Sequence, residues 1–132
     1  MIRPAPLLRF ALIADAAASG AMALMLAFGA GLLAPRLGLP DALLRNAGLF
    51  LIGYAALVGV IASRAMMKKA LVWAVIAVNA VWVMDSIALL VGGWVSPGGL
   101  GLLFVAAQAA AVGVFAELQF VGLRRSEYEV AA

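Results

Sequence analysis

The chain has 132 residues, 67% hydrophobic and 11% charged, with a mean hydropathy of +1.17 and a formal net charge of +3. A globular domain is about half apolar and a quarter charged, so a soluble domain is excluded, and no long polar stretch is left over to build a nucleotide pocket or a nucleic-acid platform. Cysteine and histidine are both absent, which removes disulfides, thiolate metal sites, the commonest metal ligand and the neutral-pH base.

Crossing ~30 Å of hydrocarbon takes about 20 helical residues, and four runs are long enough, at about 7–34, 42–62, 70–93 and 100–121. The expected fold is therefore all-α: one integral membrane domain over residues 1–132, built as a four-transmembrane-helix bundle. In the first run, Arg3 and Arg9 resemble the basic start of a signal peptide. The apolar stretch is far longer than a usual signal core and contains Asp15, so an uncleaved span is expected. Pro35, Gly38 and Pro40 punctuate its end, and Asp41 suits the positive N-terminus of the second helix. The segment from Arg64 to Lys69 separates the second and third runs. After the third, Ser96 and Pro97 read as an N-cap and first-turn proline for the fourth helix. Residues from Ser126 to Ala132 read as a short frayed tail.

Seven basic residues (Arg3, Arg9, Arg64, Lys68, Lys69, Arg124 and Arg125) fall on one side of this arrangement and two (Arg36 and Arg45) on the other. The positive-inside rule then places both termini in the cytoplasm. The basic rim favours anionic lipid headgroups, so membrane lipids are the expected partners and nucleic acid is not. Trp73 and Trp94 stand near opposite ends of the third span, as interfacial anchors do. Small residues at four-residue spacing (Ala23, Ala27 and Gly31; Ala55, Gly59 and Ser63; Ala109 and Gly113) suit close helix contacts within the bundle or a homo-oligomer face.

Asp15 and Asp85 lie inside spans that hold no basic residue at their depth. An ionisable group there costs about 2.5 to 3.5 kcal/mol on insertion scales and is by default a candidate site. By counting along the helices, Asp15 and Glu117 are expected ~10 Å below the inner surface. Ser19 lies beside Asp15 at i+4, and Arg9 or Arg124 is within bending reach, as in a rim salt-bridge cluster. Asn79, Trp82, Asp85 and Ser86 fall on one ~120° arc of the third helix. Tyr54 and Gln108 are expected at similar depth, in a hydrogen-bonded network around Asp85. The ligand- or proton-binding candidates are therefore Asp85, Asn79, Trp82, Ser86, Asp15, Tyr54 and Gln108. A carboxylate unpaired at that depth is costly, so Asp85 is expected either to stay neutral or to hold a cation against Trp82 and Tyr54. Gln119 shares a face with Gln108 and extends the polar track.

The stretch from Pro40 to Arg64 and the closing run VFAELQFVGLRR, Val114 to Arg125, resemble small four-helix bacterial inner-membrane proteins that carry no assigned activity. The layout is also similar to the small multidrug-resistance transporters, with Asp15 in LIADAAASG where those proteins carry one acidic residue in helix one. The resemblance would imply proton and cation binding there. This chain has aspartate where they have glutamate, a stronger charge bias, and Asn79 to Ser86 where they have a glycine motif. With no metal set, cofactor motif or nucleophile beside a base, an enzyme is not expected and no cofactor is implied. Two functions remain open: a non-catalytic accessory or self-associating bundle of the bacterial inner membrane, or a proton-linked carrier or binder of a hydrophobic amine or lipid. A cavity reaching Asp85 separates them.

Overall fold

The computed structural model describes residues 1–93 and 95–131, with side chains through Ser126. Four helices follow in order: α1 Pro6–Leu37, α2 Asp41–Ser63, α3 Lys69–Val91 and α4 Gly99–Ala131. All four are long and apolar enough to cross a membrane. Their outward surfaces agree with that: Phe28 is 82% exposed, Leu32 72% and Val91 77%, which leaves large apolar side chains with no protein to cover them.

Each boundary has a local cause. Pro6 starts α1, where its missing N–H is no loss. The helix runs through Pro35, one turn beyond the expected stop at Ala34, because a proline in the last turn removes only one bond. Gly38 then closes it in the left-handed conformation, φ 69°, donating its N–H to the Ala34 carbonyl. Asp41 opens α2 as expected and pairs with Arg45 one turn on, at 3.0 Å. The fourth helix departs from expectation at both ends. Ser96 and Pro97 lie before it rather than at its cap, and its first turn is closed by the Leu102 N–H on the Gly98 carbonyl. At the other end it runs ten residues past Val121 to Ala131, since Leu123 and Ser126 are both fully buried. Residues 126–131 are thus helical rather than frayed, and Ala132 lies outside the described residues. Of the two tryptophan anchors, Trp73 is half-exposed and meets the Phe120 ring edge-on at 5.8 Å, whereas Trp94 lies outside the described residues.

α1 is the central helix. It packs along α2 on one side and against α4 on the other; α3 packs on α4, and α2 and α3 barely touch. The bundle is therefore closed on three seams and open on the fourth. One tight seam sets Gly48 against Ala27, a member of the first run singled out in the sequence, in which Ala23 is also buried, and another forms at Gly122, outside those runs. A methyl group on Gly122 would sit 2.7 Å from the Leu8 backbone, and one on Gly48 would press into Leu26 and Ala27. Gly59 and Gly31, by contrast, face open space. The expected contact face at Gly59 is not used within the chain.

The end that carries both termini is sealed. Ile2 and Met67 exchange two backbone hydrogen bonds, 2.7 and 2.9 Å, tying the N-terminal segment to the α2–α3 connection. The Ala5 N–H donates to Ser126 Oγ at 2.8 Å, which in turn donates to the Gly122 carbonyl. Arg9 caps the end of α2 through the carbonyls of Ala62 and Arg64. Beneath these ties lie Leu8, Leu12, Val58, Val72 and Leu123, all inaccessible to solvent.

Candidate functional site: a buried carboxyl and an open groove

Asp15, Tyr54 and Asn79 stand nine, nine and ten residues from the helix ends at the sealed face, counted from Pro6, Ser63 and Lys69 respectively. At 1.5 Å per residue that is one layer, about 14 Å in. α4 supplies Gln119 to the same layer. The four side chains meet around the Asp15 carboxyl. Oδ2 accepts from Tyr54 Oη at 2.6 Å, Gln119 Nε2 at 2.7 Å and Asn79 Nδ2 at 3.0 Å, while Oδ1 accepts from Ser19 Oγ at 2.9 Å. Asn79 also donates to Gln119 Oε1 at 2.9 Å. Every helix contributes, and Asp15 is 1% exposed, Asn79 3% and Gln119 0%.

This cage replaces two sequence expectations. Asp15 is not part of a rim salt bridge: Arg9 is engaged with α2 carbonyls, Arg124 lies 5.8 Å over the Phe120 ring, and Glu117 is exposed. Asn79 and Tyr54 belong to Asp15, not Asp85. An arc drawn down a helix ignores the axis, and the six residues from Asn79 to Asp85 rise about 9 Å. Gln119, which the sequence places only on a polar track with Gln108, completes the cage. Glu117 has nearly the right depth, but two residues turn the helix by about 200° and carry it to the outside.

The cage can hold a carboxylate or a carboxylic acid. The Tyr54 hydroxyl has one hydrogen and two acceptors in reach, Asp15 Oδ2 and Asn79 Oδ1, the latter at 2.8 Å. With Asp15 ionised, the phenol donates to the carboxylate. With a proton on Oδ2, the acid donates to the phenol oxygen and the phenol to Asn79, so the chain of bonds reverses without moving a heavy atom.

A second polar cluster joins α3 to α4 farther from the sealed end. Trp82 Nε1 donates to Gln108 Oε1 at 2.6 Å, Gln108 Nε2 donates to Ser86 Oγ and to the Val105 carbonyl at 2.9 Å each, and Ser86 donates to the Trp82 carbonyl at 2.8 Å. Trp82, Ser86 and Gln108 were expected together and are together. Asp85 is not in their network. Its side chain is exposed on the open seam and has no hydrogen bond or ion pair among the described residues.

Two cavities flank Trp82 and Gln108. One, about 120 Å³, reaches inward to Ser19, Tyr54 and Asn79 beside the cage. The other, about 450 Å³, opens between α2 and α3 at the end away from the termini and has Asp85 and Ser86 in its wall. Met22, Trp82 and Gln108 line both. The Phe50 ring is stacked on Trp82 at 5.9 Å and on Tyr54 at 6.4 Å, bridging the two clusters. Among the described residues no group of histidine, cysteine, aspartate and glutamate could hold a metal ion. No protein-family model, curated protein or solved structure matches the chain. The chemistry of the site therefore stands on its own residues.

Proposed function

We propose that the chain is a multi-pass protein of the bacterial inner membrane, with both termini and the α2–α3 connection in the cytoplasm, acting as a non-catalytic accessory or self-associating component. The observation that carries this reading is the cage. The deepest carboxyl accepts a donor from every helix, so its chemistry is used to hold four spans in one register where no hydrophobic force between helices is available. The charge bias supports the orientation, since Arg3, Arg64, Lys68, Lys69, Arg124 and Arg125 all stand at the sealed end. Cross-linking in intact membranes tests the association. Single cysteines at Phe28, Leu57, Met84, Val91 and Val114, one or more on the outward face of each helix, should give one face that forms a discrete cross-linked species. Only random, collision-dependent products at every position would overturn the reading.

A second reading, a proton-linked carrier or binder of a hydrophobic amine or lipid, is favoured by the groove that reaches Asp85 and the smaller cavity that reaches the cage. Uptake into proteoliposomes that depends on a pH gradient and is lost in Asp15→Asn would support it. Uptake unchanged by that substitution would end it.

A further inference from the structure

We infer that the α2–α3 groove is a binding site for a lipophilic monocation, an organic ammonium or phosphonium with an apolar body, for which Asp85 is the counter-ion and Trp82 the aromatic face. This deepens the second reading, resting on it for binding alone and not for transport.

Three observations meet at this place. The groove is about 450 Å³, and its walls are apolar: Met22, Leu26, Leu43, Leu89 and Phe104 among them. That volume falls in the range of small-molecule sites, which join apolar walls to a few placed polar groups. Next, the polar groups in the wall differ in their state. Trp82, Ser86 and Gln108 are bonded to one another, whereas Asn46 and Asp85 have no hydrogen bond among the described residues; Asp85 is the acidic one of the two, and the groove lining contains no lysine or arginine. A carboxyl facing an apolar groove inside a membrane-length helix either keeps its proton or is matched by a cation, and the chain supplies no cation there. Finally, Trp82 is three residues from Asp85 on the same helix, lines the groove with it, and is braced by the Phe50 ring at 5.9 Å. A cation held beside Asp85 would meet the indole on the face that Phe50 leaves free, a contact that favours diffuse organic cations over small hydrated ions.

Charge selects among the occupants. An anionic or neutral lipid tail would fill the walls and leave Asp85 unmatched. A second copy of this chain, laid seam to seam, would bring one Asp85 toward the other.

The probe pair that isolates charge from shape is tetraphenylphosphonium and tetraphenylborate, which share size and geometry and differ in sign. Equilibrium dialysis of the full chain in detergent, run with each probe separately, should show saturable, stoichiometric binding of tetraphenylphosphonium and no saturable binding of tetraphenylborate. Asp85→Asn should weaken it by about tenfold or more, the scale of one ion contact at a partly solvated site. Trp82→Leu should weaken it by about threefold or more. Asp85→Asn should melt at the wild-type temperature, because Asp85 has no internal partner, so lost binding in that variant is not lost fold. Equal affinity of Asp85→Asn and wild type, or equal binding of the two probes, overturns the site. So does disulfide formation between copies carrying Val81→Cys in membranes with no probe binding, which would show the seam filled by the chain itself. Failure here leaves the uptake test on Asp15→Asn to decide the carrier reading separately.

Discussion

A buried carboxyl that accepts four donors makes its partners dependent on it. If Asp15 is replaced by leucine, the Tyr54 hydroxyl and the amides of Asn79 and Gln119 keep their burial and lose a shared acceptor, so the cost is that of several unmatched polar groups, about 1 to 3 kcal/mol apiece before relaxation. Asn79 and Gln119 retain the bond between themselves, which limits the damage. Asp15→Leu should therefore be among the most destabilising single changes in the chain, by about 3 kcal/mol or more, whereas Tyr54→Phe removes one donor and should cost about 1 kcal/mol. Thermal unfolding in one detergent, with Asp85→Leu as a reference of equal chemistry and no internal contact, measures both. A Tyr54→Phe loss as large as that of Asp15→Leu would mean that the phenol, not the carboxyl, is the centre. At this scale the sequence was partly legible. Residue type and span composition mark Asp15, Asp85, Asn79, Tyr54 and Gln108 without any structure, since polar side chains in such spans are few. Their grouping was not legible, because it depends on which face of each helix meets which neighbour, and that is decided by the seams.

The seams are set by close approach. α1 comes within backbone contact of α4 at Gly122 and of α2 at Gly48, while in the four-residue run Ala55, Gly59 and Ser63 only Ala55 faces α1, across from Gly20, and Gly59 and Ser63 meet no neighbouring helix. Spacing alone cannot tell a face that packs from a face that merely could, because every span in so alanine- and glycine-rich a chain offers several. Gly122→Ala puts a methyl 2.7 Å from backbone atoms of Leu8 that have no flexible end to yield, so the α1–α4 seam must open or shift, at the 1 to 3 kcal/mol typical (about) of overpacking. Gly59→Ala meets nothing within 4 Å and gains helix propensity, about 1 kcal/mol at most. The two variants should move the melting temperature in opposite directions or leave only Gly122→Ala changed; equal losses would show that Gly59 faces a partner after all. Helix identity was the legible part here, since length and apolar run fix it. The ends were less so. α4 continues to Ala131 because Leu123 and Ser126 are buried under the N-terminal segment, a tertiary contact that a drop in hydropathy after Val121 conceals.

For the whole molecule the two ends differ in kind. One is tied by the Ile2–Met67 pair, the Ala5–Ser126 bond and Arg9 on the α2 carbonyls, over a plug of buried leucine and valine. Toward the other, α2 and α3 part, and the larger cavity runs from Leu39 and Asn46 to Trp82 and Gln108. If the basic rim lies in the cytoplasm, the opening faces the outer half of the bilayer and the sealed end faces in, so any ligand meets Asp85 before it meets Asp15. Orientation thus decides which carboxyl is reached first. The chain has no cysteine, so single substitutions can be labelled without background. Met66, 39% exposed in the α2–α3 connection, and Ser96, exposed before α4, stand at opposite ends and carry no charge. In intact cells an impermeant maleimide should label Ser96→Cys alone, and Met66→Cys should react only once the membrane is opened. The seven-to-two distribution of basic residues is the ground for expecting that result. The reverse pattern would turn the groove toward the cytoplasm and place the sealed end outside. Labelling of both sites in intact cells would mean that the four helices do not cross the membrane as one bundle.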